Sequence, residues 1–269
     1  MKKNYWSLSF QVTLTVITFA IIYLPILVIF LMSIHGSQYN FEKFSFTFRW
    51  YQAIFTDRQL VDAILVTLQI AVLSTLLATT FGTLFAIGIH SLRKKGRMRM
   101  MVLNNMPVVN PDIVTGILMF MIFRFLRISF GFPTMLLAHV FFSIPFVVLS
   151  VLPKLKQLDP NIFDAALDLG ATKFQAIIKV ILPSIKVGVI AGALIAFTMS
   201  IDDFIISYFM KQGEFHNVST LIYSRLGKRQ ISPNIFAYNS LIVFLTIGIM
   251  VTFNRLNRNP KRIMEREKK

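Results

Sequence analysis

Six long apolar runs alternate with short polar connections along the chain, and this alternation sets the frame for everything else. The runs cover about 10–33, 64–90, 106–123, 134–152, 187–210 and 237–253. Each approaches the roughly 20 residues needed to cross a hydrocarbon core of about 30 Å as a helix. The pattern therefore predicts an all-α, polytopic membrane protein with six transmembrane helices, forming one transmembrane domain over 1–269. The first run follows Lys2 and Lys3, yet it is too long for the apolar core of a signal peptide and no small-x-small site follows it, so it is read as a span.

One stretch interrupts the pattern. From Asp159 to Pro183 the sequence reads DPNIFDAALDLGATKFQAIIKVILP, a segment with soluble-protein punctuation between the fourth and fifth runs. Asp159 with Pro160 predicts an N-cap followed by proline in the first helical position, with a helix to Leu169. Gly170 suits a left-handed helix end. Thr172 with Gln175 predicts a capping box that opens a second helix ending near Pro183. The segment is thus expected to be a helical hairpin over about 159–183. Its exposed face is small and acidic, with Asp164, Ala165, Ala166 and Asp168, and lets another protein approach closely.

Charge gives the orientation. Of the 28 Lys and Arg residues, 19 fall in the connections on the side of the N-terminus, the hairpin included, and 9 on the other. Because basic residues accumulate on the cytoplasmic side, both termini and the hairpin are expected in the cytoplasm. The net charge of +16 is spread over loops and the C-terminal tail, where it suits an anionic leaflet of the lipid bilayer. No aromatic-interleaved basic domain accompanies it, so no nucleic-acid partner is expected. With no cysteine there is no thiolate metal site and no disulfide. No metal site is expected at His139 either, because no second histidine lies at ligand spacing; His139 is read as a helix-packing residue.

The acids inside the runs are the candidate chemistry. Of 12 acidic residues, Asp112, Asp202 and Asp203 fall within spans, and no Lys or Arg does. A carboxylate at mid-bilayer costs about 2.5–3.5 kcal/mol on insertion scales, so three of them imply a wet cavity, a partner subunit or a cationic ligand. Asp112 belongs to Asn110-Pro111-Asp112, which resembles a helix start but lies at depth, and so predicts a helix break facing protein or a cavity. With the fifth run taken as one helix, Asp202 and Asp203 lie roughly 23 Å along it and point about 100° apart, so only one of the pair needs to face a pathway. Which one remains open at this stage. Phe204 and Tyr208 are candidate walls beside them. Trp50 and Tyr51 read as part of an interfacial helix.

The residues Asp164-Ala165-Ala166, Gly170, Val180 and Leu182-Pro183 resemble the E-A-A-x3-G-x9-I-x-L-P signature of permease subunits of ABC importers, with Asp for Glu and Val for Ile. The position between the fourth and fifth runs agrees. The resemblance implies the type I ABC importer permease fold, with a cytoplasmic coupling hairpin that docks on a separate ATPase dimer. Asp164, Ala165, Ala166, Gly170, Leu182 and Pro183 then form the coupling residues. The chain has no G-x-x-x-x-G-K-[ST] phosphate loop, so ATP and Mg would be bound by that partner, this chain needing no cofactor and catalysing nothing. The segments MPVVNPDIVTGI, FSIPFVVLSVLPKL and FTMSIDDFIISYF further resemble spermidine/putrescine permeases of the PotC type. That likeness implies polyamine import by alternating access across a bacterial cytoplasmic membrane. The implied partners are a second permease and an extracytoplasmic polyamine-binding protein. The alternatives are an ABC permease for iron, thiamine or an amino acid, or a secondary transporter or channel for cations.

Overall fold

The computed structural model describes residues 5–37, 45–228 and 232–257. In chain order the helices are α1 (Tyr5–Ile34), α2 (Arg49–Thr56), α3 (Arg58–Ser91), α4 (Lys94–Val109), α5 (Asp112–Phe125), α6 (Phe132–Leu155), α7 (Ile162–Asp168) and α8 (Lys173–Ala176). A π-helical turn (Ile177–Ile181) follows, then α9 (Leu182–Ser184), α10 (Lys186–Asp202), α11 (Ile205–Met210), α12 (Val218–Gly227) and α13 (Pro233–Asn257). The expected all-α class holds, with no strand among the described residues. The basic C-terminal tail, from residue 258, lies outside them.

Three helices are each long and apolar enough to cross a membrane, Phe10–Ile34, Arg58–Ser91 and Phe132–Leu155. Two bent pairs raise the number to at most five, and Pro233–Gly248 is a shorter apolar helix. The expected third run, 106–123, is not one rod. Helix α4 starts far upstream, at Lys94, because its Lys, Arg and Met residues favour helix. It stops at Val109 because Asn110 precedes a proline and is driven to extended backbone (φ −74°, ψ 141°). Helix α5 then leaves at 103° to it. The helix break expected at Asn110-Pro111-Asp112 is therefore present.

The fifth run, 187–210, is corrected in two places. At its start the hairpin's second arm meets α10 at a 75° bend. At its end α10 stops at Asp202, Asp203 turns extended (φ −67°, ψ 129°), and α11 begins afresh at Ile205. The cause is Asp203, whose carboxylate takes the N–H groups of Ile206 and Ser207 and so caps a new helix where the old one would have continued. The picture of two acids on one continuous helix does not hold.

Contacts divide the chain into two compact units, Met1–Val61 with Arg225–Lys269, and Asp62–Ser224. In the first, α13 packs on α1 and α2. Trp50 Nε1 donates to the carbonyl of His35 at 2.7 Å, which ties α2 to the end of α1. Asp57 accepts from Arg225 through both oxygens, at 2.6 and 2.9 Å, and from Asn234 Nδ2 at 2.7 Å. The hydrogen-bonded Arg225 guanidinium holds the Asp57 carboxyl below its ordinary value, against the opposing effect of partial burial.

In the second unit α6 and α10 pack most extensively against each other. They approach closely because α10 carries small residues on that side: a Cβ added at Gly192 would lie 3.1 Å from the Cα of Val147. Val147, Val148, Val151, Ile185 and Ala196 build the core there, with Ala86 and Ile89 of α3. A second cluster, around Met119, Phe123, Met135, Phe142, Ile206 and Met210, joins α5, α6 and α11.

Candidate functional site

The break between α10 and α11 and the start of α5 open onto one cavity of about 470 Å³. Its lining includes Asp112, Asp202, Asp203 and Phe204, with Thr198 and Ile205 on either side of the break. All three acids singled out in the sequence thus meet in one place. They are not equivalent. Asp112 and Asp202 are exposed to the cavity, and no hydrogen bond or ion pair ties up either carboxylate among the contacts of the described residues. Asp203 is engaged, its side chain only 9% exposed. Its Oδ1 accepts from Ile206 N at 3.3 Å, and its Oδ2 accepts from Ser207 N and from the Ser207 hydroxyl, each at 2.8 Å.

The same carboxylate has a neighbour that sequence reading assigned to mere packing. His139, wholly buried on α6, places Nε2 3.4 Å from Asp203 Oδ2. It also hydrogen-bonds Ser207 Oγ through Nε2 at 3.0 Å and Ser200 Oγ through Nδ1 at 2.7 Å. Asp203 thus has partners within the chain, His139 and Ser207, although no Lys or Arg lies within the spans. The pairing joins residues 64 positions apart, and no local pattern announces it.

Phe204 and Phe142 are the aromatic members of the cavity wall. Tyr208 is not among the lining residues; it stands behind Phe204, with ring centroids 5.6 Å apart. Tyr223, which the sequence reading did not single out, completes a trio at 4.8 Å from Phe204 and 5.6 Å from Tyr208. In a chain with 27 Phe and 7 Tyr residues, aromatic content alone could not have marked it.

The hairpin has the expected turn and a corrected start. Asp159 does not cap α7: its Oδ1 accepts from Asn161 N at 2.9 Å, closing a local turn, and the helix begins at Ile162. Gly170 has φ +84°, in the region where a side chain is strained. Thr172 and Gln175 form the reciprocal capping box, with Thr172 Oγ1 accepting from Gln175 N and Gln175 Oε1 accepting from Thr172 N. The second arm then passes through the π-helical turn, which sequence gave no sign of. Asp164, Ala165, Asp168 and Pro183 are exposed, as is Leu182 in part, whereas Ala166 is buried rather than outward-facing. Two apolar side chains the sequence reading passed over flank the glycine turn: Leu169 is 90% exposed and Phe174 72%. Ala165, Ala166 and Gly170 line a second cavity of about 470 Å³ between the two arms.

Comparison with known proteins decides the family. Residues 78–262 match the family described as binding-protein-dependent transport system inner membrane component. The chain belongs to this family. Among curated relatives, the Escherichia coli (strain K12) spermidine/putrescine transport system permease protein PotC is 31% identical over 241 residues, 90% of this chain and 91% of that protein. The putrescine transport system permease protein PotI of the same strain is 29% identical, covering 87% of this chain and 85% of its own. Among solved structures, a chain of a bacterial ABC transporter that imports the acidic polysaccharide alginate superposes with a TM-score of 0.68 at 18% identity, covering 96% of this chain and 100% of that one. A second alginate transporter structure, with its oligosaccharide-bound periplasmic protein, gives 0.67 at 20% identity over 94% of each chain. The fold is that of ABC importer permeases. This chain is accordingly a membrane-embedded transport component and not a catalytic subunit.

Proposed function

We propose that this chain is a permease subunit of an ABC importer that carries polyamines inward. The observation that carries the reading is the cavity in which two exposed carboxylates, Asp112 and Asp202, share a wall with Phe204. Two separated anionic groups beside an aromatic face suit a linear cation with ammonium groups spaced by methylenes, since ammonium is drawn both to carboxylates and to ring faces. The names of the relatives at 31% and 29% identity point the same way.

In this reading a second permease completes the pathway, and an extracytoplasmic polyamine-binding protein delivers the ligand. An ATPase dimer, which holds ATP and Mg, receives the hairpin. Asp164, Ala165, Gly170, Leu182 and Pro183 form the docking element, with the buried Ala166 packed beneath them, and the exposed Leu169 and Phe174 supply the apolar surface that a groove would bury. Both termini and the hairpin lie in the cytoplasm, in line with the excess of Lys and Arg on that side. Closure of the ATPase moves the hairpin, and its bent junction with α10 carries that motion toward the cavity.

The test is reconstitution of the chain with its ATPase, second permease and receptor in proteoliposomes. Spermidine or putrescine should raise ATP hydrolysis and accumulate inside, while ferric iron, thiamine and amino acids should do neither. Stimulation by one of those rivals, with polyamines inert, would overturn the substrate and leave the importer.

A further inference from the structure

His139 is wholly buried in α6, and nothing in the transport reading uses it. Its two ring nitrogens reach across the break in the fifth run: Nδ1 meets Ser200 Oγ on the last turn of α10 at 2.7 Å, and Nε2 meets Ser207 Oγ on the first turn of α11 at 3.0 Å. The proton inventory fixes the direction of these bonds. The Ser207 hydroxyl spends its single proton on Asp203 Oδ2 at 2.8 Å and accepts from Asn217 Nδ2 at 2.8 Å. It can therefore meet His139 only as an acceptor, so Nε2 carries the hydrogen. In the neutral ring Nδ1 then accepts from the Ser200 hydroxyl, which in turn accepts from Ser74 of α3 at 2.9 Å. The Ser200 and Ser207 hydroxyls then both point their protons along the bridge toward the Asp203 carboxylate, while the Ser74 hydroxyl also lies 3.3 Å from the Ala71 carbonyl.

Such a clamp has a task here. The segment Asp203–Phe204 lacks the backbone ladder that would fix the angle between α10 and α11, and α11 is only six residues long, too short to hold its own shape. Helix α10 is anchored along its length on α6, at Gly188, Gly192 and Ala196. On the α11 side, Asn217 Nδ2 adds a bond to the Asp203 carbonyl at 3.3 Å.

We infer that His139 is a positioning residue of the cavity: by bridging Ser200 and Ser207 it sets the angle of the break at Asp203–Phe204. It thereby holds Phe204 and Ile205 opposite Thr198 and Asp202. The inference rests on the transport reading only in taking this cavity as the pathway; it makes no use of which ligand passes.

The chain contains no cysteine, so single cysteines report cleanly. Thr198→Cys probes the α10 side of the cavity and Ile205→Cys the α11 side, each labelled in the purified, assembled transporter with a small cationic thiosulfonate. His139→Leu should change the labelling rate at position 205 at least about fivefold while leaving position 198 within about twofold. His139→Gln, whose amide can still donate to Ser207, should bring position 205 back to within about twofold of the native rate. Loss of shape without a positioning role would change both positions together and would not be rescued by Gln. Unchanged labelling at 205 in His139→Leu, or equal changes at 198 and 205, overturns the assignment. Should His139→Leu assemble too poorly to label, Ser207→Ala removes the α11 end of the clamp and must give the same contrast between 205 and 198. No polyamine is needed, so a failed polyamine-stimulation assay and a failed labelling contrast are separate results.

Discussion

A carboxylate inside an apolar span is tolerated only when something offsets its desolvation, and the three acids of the cavity are offset in two different ways. Asp203 is held by two backbone N–H groups, the Ser207 hydroxyl and the neighbouring His139. Asp112 and Asp202 are exposed to the cavity, which leaves their charge for a ligand. Asp112→Asn and Asp202→Asn should therefore each lower polyamine uptake per assembled complex about tenfold or more, since a charge-assisted contact contributes about 1.5–3 kcal/mol. Assembly should stay near native. Asp203→Asn should do the reverse, lowering the thermal midpoint and the yield of complex first, because one carboxylate oxygen of a buried cap becomes an N–H2 facing donors. Uptake and complex yield measured on the same preparations decide it, and a common phenotype for all three would remove the division. The sequence made the presence of these acids legible, because charged residues are rare within apolar runs, and the proline of Asn110-Pro111-Asp112 made the first break legible too. It did not reveal that Asp203 caps a helix. The stretch SIDDFIIS has the composition of a continuing span, and the deciding partner, His139, comes from another helix.

Helix ends show the same contrast between local and distant causes. The Gly170 turn and the Thr172–Gln175 box were legible because each depends on residues within four positions, whereas the π-helical turn at Ile177–Ile181 and the upstream start of α4 depend on context. Gly170→Leu should strain the turn, where φ is +84°, and uncouple ATP hydrolysis from uptake while the protein still inserts. Normal uptake with normal ATPase association would remove the hairpin from the coupling role. Gly192→Leu should act through packing instead. With so little room against Val147, the larger side chain should cost about 1–3 kcal/mol of stability, read as a lowered thermal midpoint of the purified complex. At the other unit, Asp57 ties together the α2–α3 turn, α12 and α13 through Arg225 and Asn234. Its folded carboxyl titrates below the ordinary 3.8. The stability it contributes is thus present above that pH and is lost as the pH falls through the lower, folded value. Native protein should lose thermal stability below about pH 3.8 more steeply than Asp57→Asn, which has already lost this contribution at neutral pH. Parallel pH profiles for the two proteins would show that the pair carries no linked stability.

Across the whole molecule, the apolar surface has to be covered by something other than water. The first span is strongly apolar, and residues 10–28 are exposed within the chain, so their side chains meet lipid or another subunit. A surface of that kind agrees with membership of an inner-membrane component family, but it says nothing of which end of each span faces the cytoplasm. The orientation proposed above rests on charge, with 19 of 28 basic residues expected on the side of the hairpin, and it is the step on which docking to a cytoplasmic ATPase depends. Single cysteines in the cysteine-free chain test it directly. Ser91 follows the second expected run, Asn161 precedes α7, and Glu214 lies in the connection between α11 and α12; all three are exposed. Asn217, which the loop position alone would recommend, is unsuitable because it is 2% exposed and hydrogen-bonded to Ser207 and Thr220. In intact cells Ser91→Cys and Asn161→Cys should react only with membrane-permeant thiol reagents, and Glu214→Cys should react with impermeant ones. Labelling of Asn161→Cys from outside would put the hairpin on the receptor side, where no ATPase could reach it. The coupling role of Gly170 would then fall, while the acids of the cavity and the His139 clamp would stand.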